Sequence, residues 1–168
     1  MRKVLLILDT FAVLAMAILI FGFSAQPAEK SGALSQLITE KLMDVFYPAY
    51  WKLSAEQQLT VFQTAHLLVR KCAHFTEYFG FGFLLALWFR LLLPSNSLFQ
   101  HALYAAFLGI VYAVLDEWHQ SFVGGRQQAL FDVIIDSSGV LIGSILLCCV
   151  SCLAMRRANS GIQRENKT

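Results

Sequence analysis

Four long apolar runs decide most of what this chain can become. They cover about residues 4–23, 73–93, 101–118 and 130–153. Crossing a bilayer as a helix takes about 20 apolar residues, with a range of roughly 17–25. The third run is the shortest of the four. Composition agrees with membrane embedding: 57% of residues are hydrophobic and 14% are charged, against about a quarter charged in soluble domains. Mean hydropathy is +0.59. The expected fold class is therefore all-α, a polytopic membrane protein of four transmembrane helices. One or two amphipathic helices are expected in the outer loop between the first and second spans. A chain of 168 residues has room for one domain and hardly two. The single membrane domain is placed at residues 1–155, followed by a short basic cytoplasmic tail at 156–168. The lipid bilayer is the first partner. A net charge of +2 is too small to argue for nucleic acid, and no Gly-rich phosphate loop or internal repeat occurs.

The first run could be read as a signal peptide, with Arg2 and Lys3 as its basic start and Gly22-Phe23-Ser24 as a small-residue site. Its apolar stretch exceeds the roughly 7–15 residues of a signal core, so an uncleaved transmembrane helix is expected. Asp9 inside it should face the bundle or reach toward the inner surface. After it, "FSAQPAEKSG" (Phe23–Gly32) reads as a turn, because Pro and Gly punctuate it. "ALSQLITEKLMDVF" (Ala33–Phe46) puts Leu34, Leu37, Ile38, Leu42 and Val45 near one helical face, which predicts an amphipathic helix lying on the membrane or against the bundle. "YPAYW" (Tyr47–Trp51) supplies rings suited to a membrane interface. Ser54 with Gln57 matches a capping box, so a helix should start there and could run through Arg70 into the second span. Cys148, Cys149 and Cys152 fall in the last apolar run and read as small hydrophobes.

Basic residues near helix ends set the orientation. Arg2 and Lys3 precede the first span, Arg90 ends the second, and Arg156 and Arg157 follow the fourth, with Arg164 and Lys167 beyond. With an even number of spans both termini should be cytoplasmic. Arg70, Lys71 and Arg126 then fall outside, each with acids nearby to hold it.

On that topology the ionisable residues gather at one depth. The second span enters through "RKCAHFTEYFG", the third leaves through "YAVLDEWHQ", and the fourth enters through "RQQALFDVIID". Residues three or four apart share a helical face. Lys71, His74, Glu77 and Tyr78 can form one stripe, and Asp116 is in register with Tyr112, His119 and Gln120. Asp132 and Asp136 are four apart, and Gly139 and Gly143 continue their face as a G-x-x-x-G that lets another helix approach closely. Ionisable groups in a membrane cost several kcal/mol unless they pair or reach water. Asp116 and Glu117 also sit at a helix C-terminus, where the dipole disfavours anions. A cation should compensate them, supplied by Arg126, Lys71, a protonated His or a metal ion.

Taken singly, Arg70, Glu117 and His66 need no more than a surface role. Asp136 is as well suited to structural hydrogen bonding as to chemistry. Taken together, Lys71, His74, Glu77, Asp116, Glu117, His119, Arg126 and Asp132 point to one polar pocket between the second, third and fourth spans. His74 or His119 could serve as general acid or base, with Glu77 or Asp116 orienting it. Lys71 and Arg126 could hold a phosphate or another anionic headgroup. Ser121 and Thr76 are nucleophile candidates by position only. A divalent metal is the one cofactor these residues could hold, on His74, Glu77, Asp116 and His119, although no H-E-x-x-H motif is present.

"FSAQPAEKS", "KCAHFTEYFGFG" (Lys71–Gly82), "DEWHQSFVGGR" (Asp116–Arg126) and "DVIIDSSGVLIG" (Asp132–Gly143) together resemble the VanZ-like family of bacterial membrane proteins. The resemblance spans most of the chain in the family's order. It implies a small multi-helix membrane protein of the cell envelope, in a family named for low-level teicoplanin resistance, a form of antibiotic resistance. Two departures stand out. Gly124-Gly125 replaces the family's frequent Pro-Gly, and Asp136 stands where an Asn is frequent. Three functions remain open at this point: an enzyme acting on an envelope lipid or cell-wall precursor at the outer leaflet, a non-catalytic protein binding a headgroup or a glycopeptide-type drug, and a small transporter. The oligomeric state is left open.

Overall fold

The computed structural model describes residues 1–124 and 130–165, with side chains described at all of these except 28–31, 158–159 and 161–165. Its elements are α1 (Arg2–Ser24), α2 (Ala28–Phe46), a short 3-10 turn (Pro48–Lys52), α3 (Ala55–Leu92), α4 (Leu98–Gln120) and α5 (Leu130–Glu165). No strand occurs among the described residues. Four of the helices, α1, α3, α4 and α5, are long and apolar enough to cross a membrane, as the four apolar runs predict.

Local sequence explains where these helices begin. Ser54 Oγ accepts from the Gln57 backbone N–H and the Gln57 side chain accepts from the Ser54 N–H, a reciprocal cap that opens α3. Ser97 and Gln100 repeat the device at α4. The expected outer-loop helix beginning at Ser54 is thus the first part of α3. At about 1.5 Å per residue, 38 residues make α3 about 57 Å long, well beyond a hydrocarbon layer of about 30 Å. α3 therefore carries its first turns past the bilayer core or tilts strongly.

The expected turn at Phe23–Gly32 is shorter than the sequence implies. α1 runs through Ser24, and α2 starts at Ala28 directly after Pro27. Pro27 has φ −54° and ψ 149°, an extended geometry that proline and a residue just before a helix both tolerate. The following Gly32 is a single helical glycine, a cost of only about 1 kcal/mol, so it does not break α2. The amphipathic character of α2 is as expected. Leu34, Leu37, Val45 and Phe46 stay exposed, available to an interface.

α3 is the hub. It packs against α1, α2, α4 and α5, most extensively against α5. The α3–α5 contact rests on missing side chains. A Cβ on Gly139 would lie 2.6 Å from Phe75 O, and one on Gly143 would lie 2.0 Å from Phe79 O. On the other side of the seam, a Cβ on Gly82 would lie 2.3 Å from Val140 O. Van der Waals packing of this kind holds helices together in lipid, where burial from water supplies no driving force. Val140 also meets Gly109 of α4, so one residue of α5 wedges between α3 and α4. The buried core is small: Ile20, Tyr78, Phe81, Leu85, Ala86, Ala105, Ala113, Val140 and Leu147. The exposed leucines, isoleucines and phenylalanines of α1 are what a lipid-facing helix requires.

Two layers of polar contact tie the bundle at its two ends. At one end Trp88 Nε1 donates to Thr10 Oγ1 at 2.9 Å, Arg90 reaches Ser151, and His101 Nε2 lies 2.8 Å from the Leu93 carbonyl at the end of α3. Asp9 faces the bundle and is 6% exposed. At the other end the last turn of α1, the middle of α3, the last turns of α4 and the first turns of α5 meet. The candidate site is there.

Candidate functional site

Asp116 is the best-held carboxylate of this end. Its Oδ2 accepts from Ser24 Oγ at 2.6 Å, Tyr78 OH at 3.0 Å and Gln120 Nε2 at 3.0 Å. Gln120 Nε2 also reaches Ser24 Oγ at 3.0 Å. α1, α3 and α4 are thus joined through one oxygen atom. Asp116 is 4% exposed and Tyr78 is fully buried. At a helix C-terminus Asp116 is expected to have a cation nearby, and Arg126, one candidate for it, lies outside the described residues. Among the described residues the donors on its Oδ2 are neutral hydroxyls and an amide, which satisfy a carboxylate oxygen without a second buried charge.

The α3–α5 seam carries the second half. Lys71 Nζ donates to Asp132 in an ion pair whose side chains are 30% and 25% exposed. One turn deeper, His74 Nδ1 lies 3.9 Å from Asp136 Oδ1. Helical spacing makes this ladder: Lys71 and His74 are three apart on α3, Asp132 and Asp136 are four apart on α5, and the Gly139/Gly143 contact sets the register between them. Lys71 also interacts electrostatically with Glu117 and Asp136. Asp136 in turn feels Asp116, Glu117, Glu77 and Lys71. Tyr78 interacts with both Asp116 and Asp136, which links the two halves.

Asp136 is therefore more central than the sequence reading makes it. It is 1% exposed, and its Oδ1 has no hydrogen-bond partner among the described residues. Asp116 Oδ1 and His119 Nε2 are likewise buried without one. Glu117 is buried and takes part in further interactions, as do His74 and Glu77. Glu77 also borders an apolar groove of about 610 Å³ shared by α1, α2 and α3, with Met16, Ile38 and Leu42 opposite.

The eight residues named from the sequence do not all meet. Lys71, His74, Glu117 and Asp132 gather on the α3–α5 side with Asp136. Asp116 bridges to α1. His119 is set apart: its ring stacks on Phe21 of α1 with centroids 4.6 Å apart. Arg126, Gly125 and Lys167 lie outside the described residues. His74 and His119 face different helices, and among the described residues no three His, Cys, Asp or Glu side chains are grouped to hold a metal ion. The two hydroxyl candidates are occupied locally. Thr76 Oγ1 donates to the Cys72 carbonyl at 2.7 Å and Ser121 Oγ to the Trp118 carbonyl at 2.6 Å, and both residues are exposed.

Ser24 is the residue that reading by apolar run overlooks as a site member, since it sits one position past the end of a hydrophobic stretch. The signal was nonetheless present, because "FSAQPAEKS" is one of the four family-like stretches.

A family model described as VanZ/LLP1 matches residues 10–152 of this chain, a span that includes every residue of the cluster. No curated protein and no solved structure matches.

Proposed function

This chain belongs to the VanZ/LLP1 family of membrane proteins, a family linked to glycopeptide resistance, and from that premise we propose that the cluster on α3, α4 and α5 is an outward-facing recognition site for a cell-envelope component. In this reading the protein resides in the bacterial plasma membrane with both termini in the cytoplasm. The component is a membrane lipid, a cell-wall precursor or a glycopeptide-type antibiotic. Lys71 and Arg126 supply positive charge, and Asp116, Glu117, Asp132 and Asp136 supply acceptors.

The observation that carries this reading is the pair of deeply buried carboxylates, Asp116 and Asp136, on neighbouring helices at one level of the bundle. Each keeps one oxygen without a partner among the described residues. Such atoms cost about 1–3 kcal/mol each when left unsatisfied. A site that accepts donors from a ligand recovers that cost on binding. Recognition is favoured over nucleophilic catalysis because Thr76 and Ser121 spend their hydroxyls on backbone carbonyls. One observation favours a second, catalytic reading: His74 beside Asp136 at 3.9 Å is an imidazole that a carboxylate could orient for proton transfer.

The test compares lipid and precursor extracts from cells with and without the protein, together with whatever co-purifies with it. One component bound stoichiometrically, and lost in His74→Ala or Asp136→Asn, supports recognition. Turnover of a component that stops in His74→Ala supports the catalytic reading. Unchanged extracts with nothing bound contradict both.

A further inference from the structure

A second cavity lies on the other side of Asp116, between α1 and α4. It has a volume of about 300 Å³ and is walled by Phe21, Tyr112, Leu115, Asp116, Trp118 and His119. It is separate from the ladder of Lys71, His74, Asp132 and Asp136 and shares only Asp116 with the site proposed above.

Its chemistry is specific. Three walls are aromatic faces. Tyr112 has committed its hydroxyl to the Ala17 carbonyl at 2.7 Å, so its ring is what it presents. The His119 ring is fixed by its stack on Phe21. Asp116 spends Oδ2 on three donors, while its Oδ1 is buried with no partner among the described residues. His119 Nε2 is in the same condition, and it is an acceptor in the tautomer that carries its proton on Nδ1. Two buried acceptors thus lack donors beside a cavity lined with aromatic rings. Rings attract cations through their quadrupoles. A carboxylate adds full charge, and an imidazole nitrogen adds a second acceptor for an N–H.

We propose that this cavity binds a primary ammonium group, carried on an aminoethyl lipid headgroup. A primary ammonium brings three N–H donors and one positive charge, which matches two acceptors and an aromatic wall. A quaternary ammonium brings the charge without donors and leaves both acceptors unsatisfied. The lipid source follows from the position of the mouth. Leu115 and Trp118 beside it are 54% and 59% exposed on the apolar flank of α4, so the cavity is reached sideways from a bilayer. The depth also fits a headgroup, since Ser24 and Gln120 mark the ends of α1 and α4.

The experiment uses the full-length protein in nanodiscs of mixed phosphatidylethanolamine and phosphatidylcholine, with retained lipid counted by native mass spectrometry. Phosphatidylethanolamine should be retained over phosphatidylcholine by about tenfold, the scale of a hydrogen bond to a charged group. His119→Phe keeps a ring on Phe21 and removes one of the two acceptors, and it should cut the preference severalfold, with Asp116 holding the remainder. Trp118→Leu alters an exposed wall without touching the core and should lower retention of both lipids, which covers the case of a His119 variant that fails to accumulate. Soluble ethanolammonium should displace the lipid. Equal retention of the two lipids, or a preference unchanged in His119→Phe together with retention unchanged in Trp118→Leu, overturns the proposal. Ethanolammonium binding in phosphatidylcholine nanodiscs with no lipid preference overturns the lipid source.

Discussion

Asp116 Oδ2 accepts three hydrogen bonds from three different segments, and that single atom explains much of how this end of the bundle is held. Tyr78→Phe removes one donor while leaving the ring among its buried neighbours. The loss should cost about 1–3 kcal/mol, read as a lower thermal midpoint in detergent. An unchanged midpoint would mean that Tyr78 OH does not support Asp116. At this scale the sequence was partly readable. Helical spacing grouped Lys71 with His74 and Tyr78 correctly, because intervals of three and four are fixed by the helix itself. It could not tell which partner each would take on another helix. Lys71 pairs with Asp132 and His74 faces Asp136, while His119, in register with Asp116, turns to Phe21 instead. Cross-helix pairing depends on rotation about each axis, and packing decides that.

The elements were more legible. Apolar length marked the four long helices, and the Ser54–Gln57 capping box marked where α3 begins, whereas the same pairing of Ser97 with Gln100 at α4 was not read from the sequence. G-x-x-x-G marked the close face of α5. The boundary between α1 and α2 was less legible, because Pro27 reads as a breaker although it also suits the position before a first helical turn. The glycine contacts yield a differential prediction. Gly143→Ala places a Cβ against backbone of α3, at 2.0 Å from Phe79 O, so α5 must move. The cost should be about 1–3 kcal/mol, as for other overpacked sites, and the Lys71–Asp132 ladder should shift with it. Gly22→Ala in α1 meets nothing within 4 Å and should be neutral or stabilising by up to about 1 kcal/mol. Thermal midpoints of the two variants, measured side by side, check the contrast. Equal effects would remove the case for a glycine-mediated α3–α5 contact.

For the whole molecule, the four helical spans bring charge from distant parts of the chain to one level. That convergence was visible in sequence once the spans were placed end to end, since alternating directions put Lys71, Asp116 and Asp132 at the same depth. Which side of the membrane this level faces is a separate matter, argued from Arg2, Lys3, Arg90, Arg156 and Arg157. Reporter fusions after Ser95 and after Thr168 should both report cytoplasm, and an external signal at either position would put the cluster on the inner face. The central claim is that His74, Asp116 and Asp136 belong to one functional unit. The most direct measurement is the envelope phenotype of His74→Ala, Asp116→Asn and Asp136→Asn, singly and in pairs, each normalised to membrane abundance. Residues acting as a unit lose function to similar degrees when changed singly, and pairs add little. Retention of the phenotype in all three single variants at normal abundance would contradict the account.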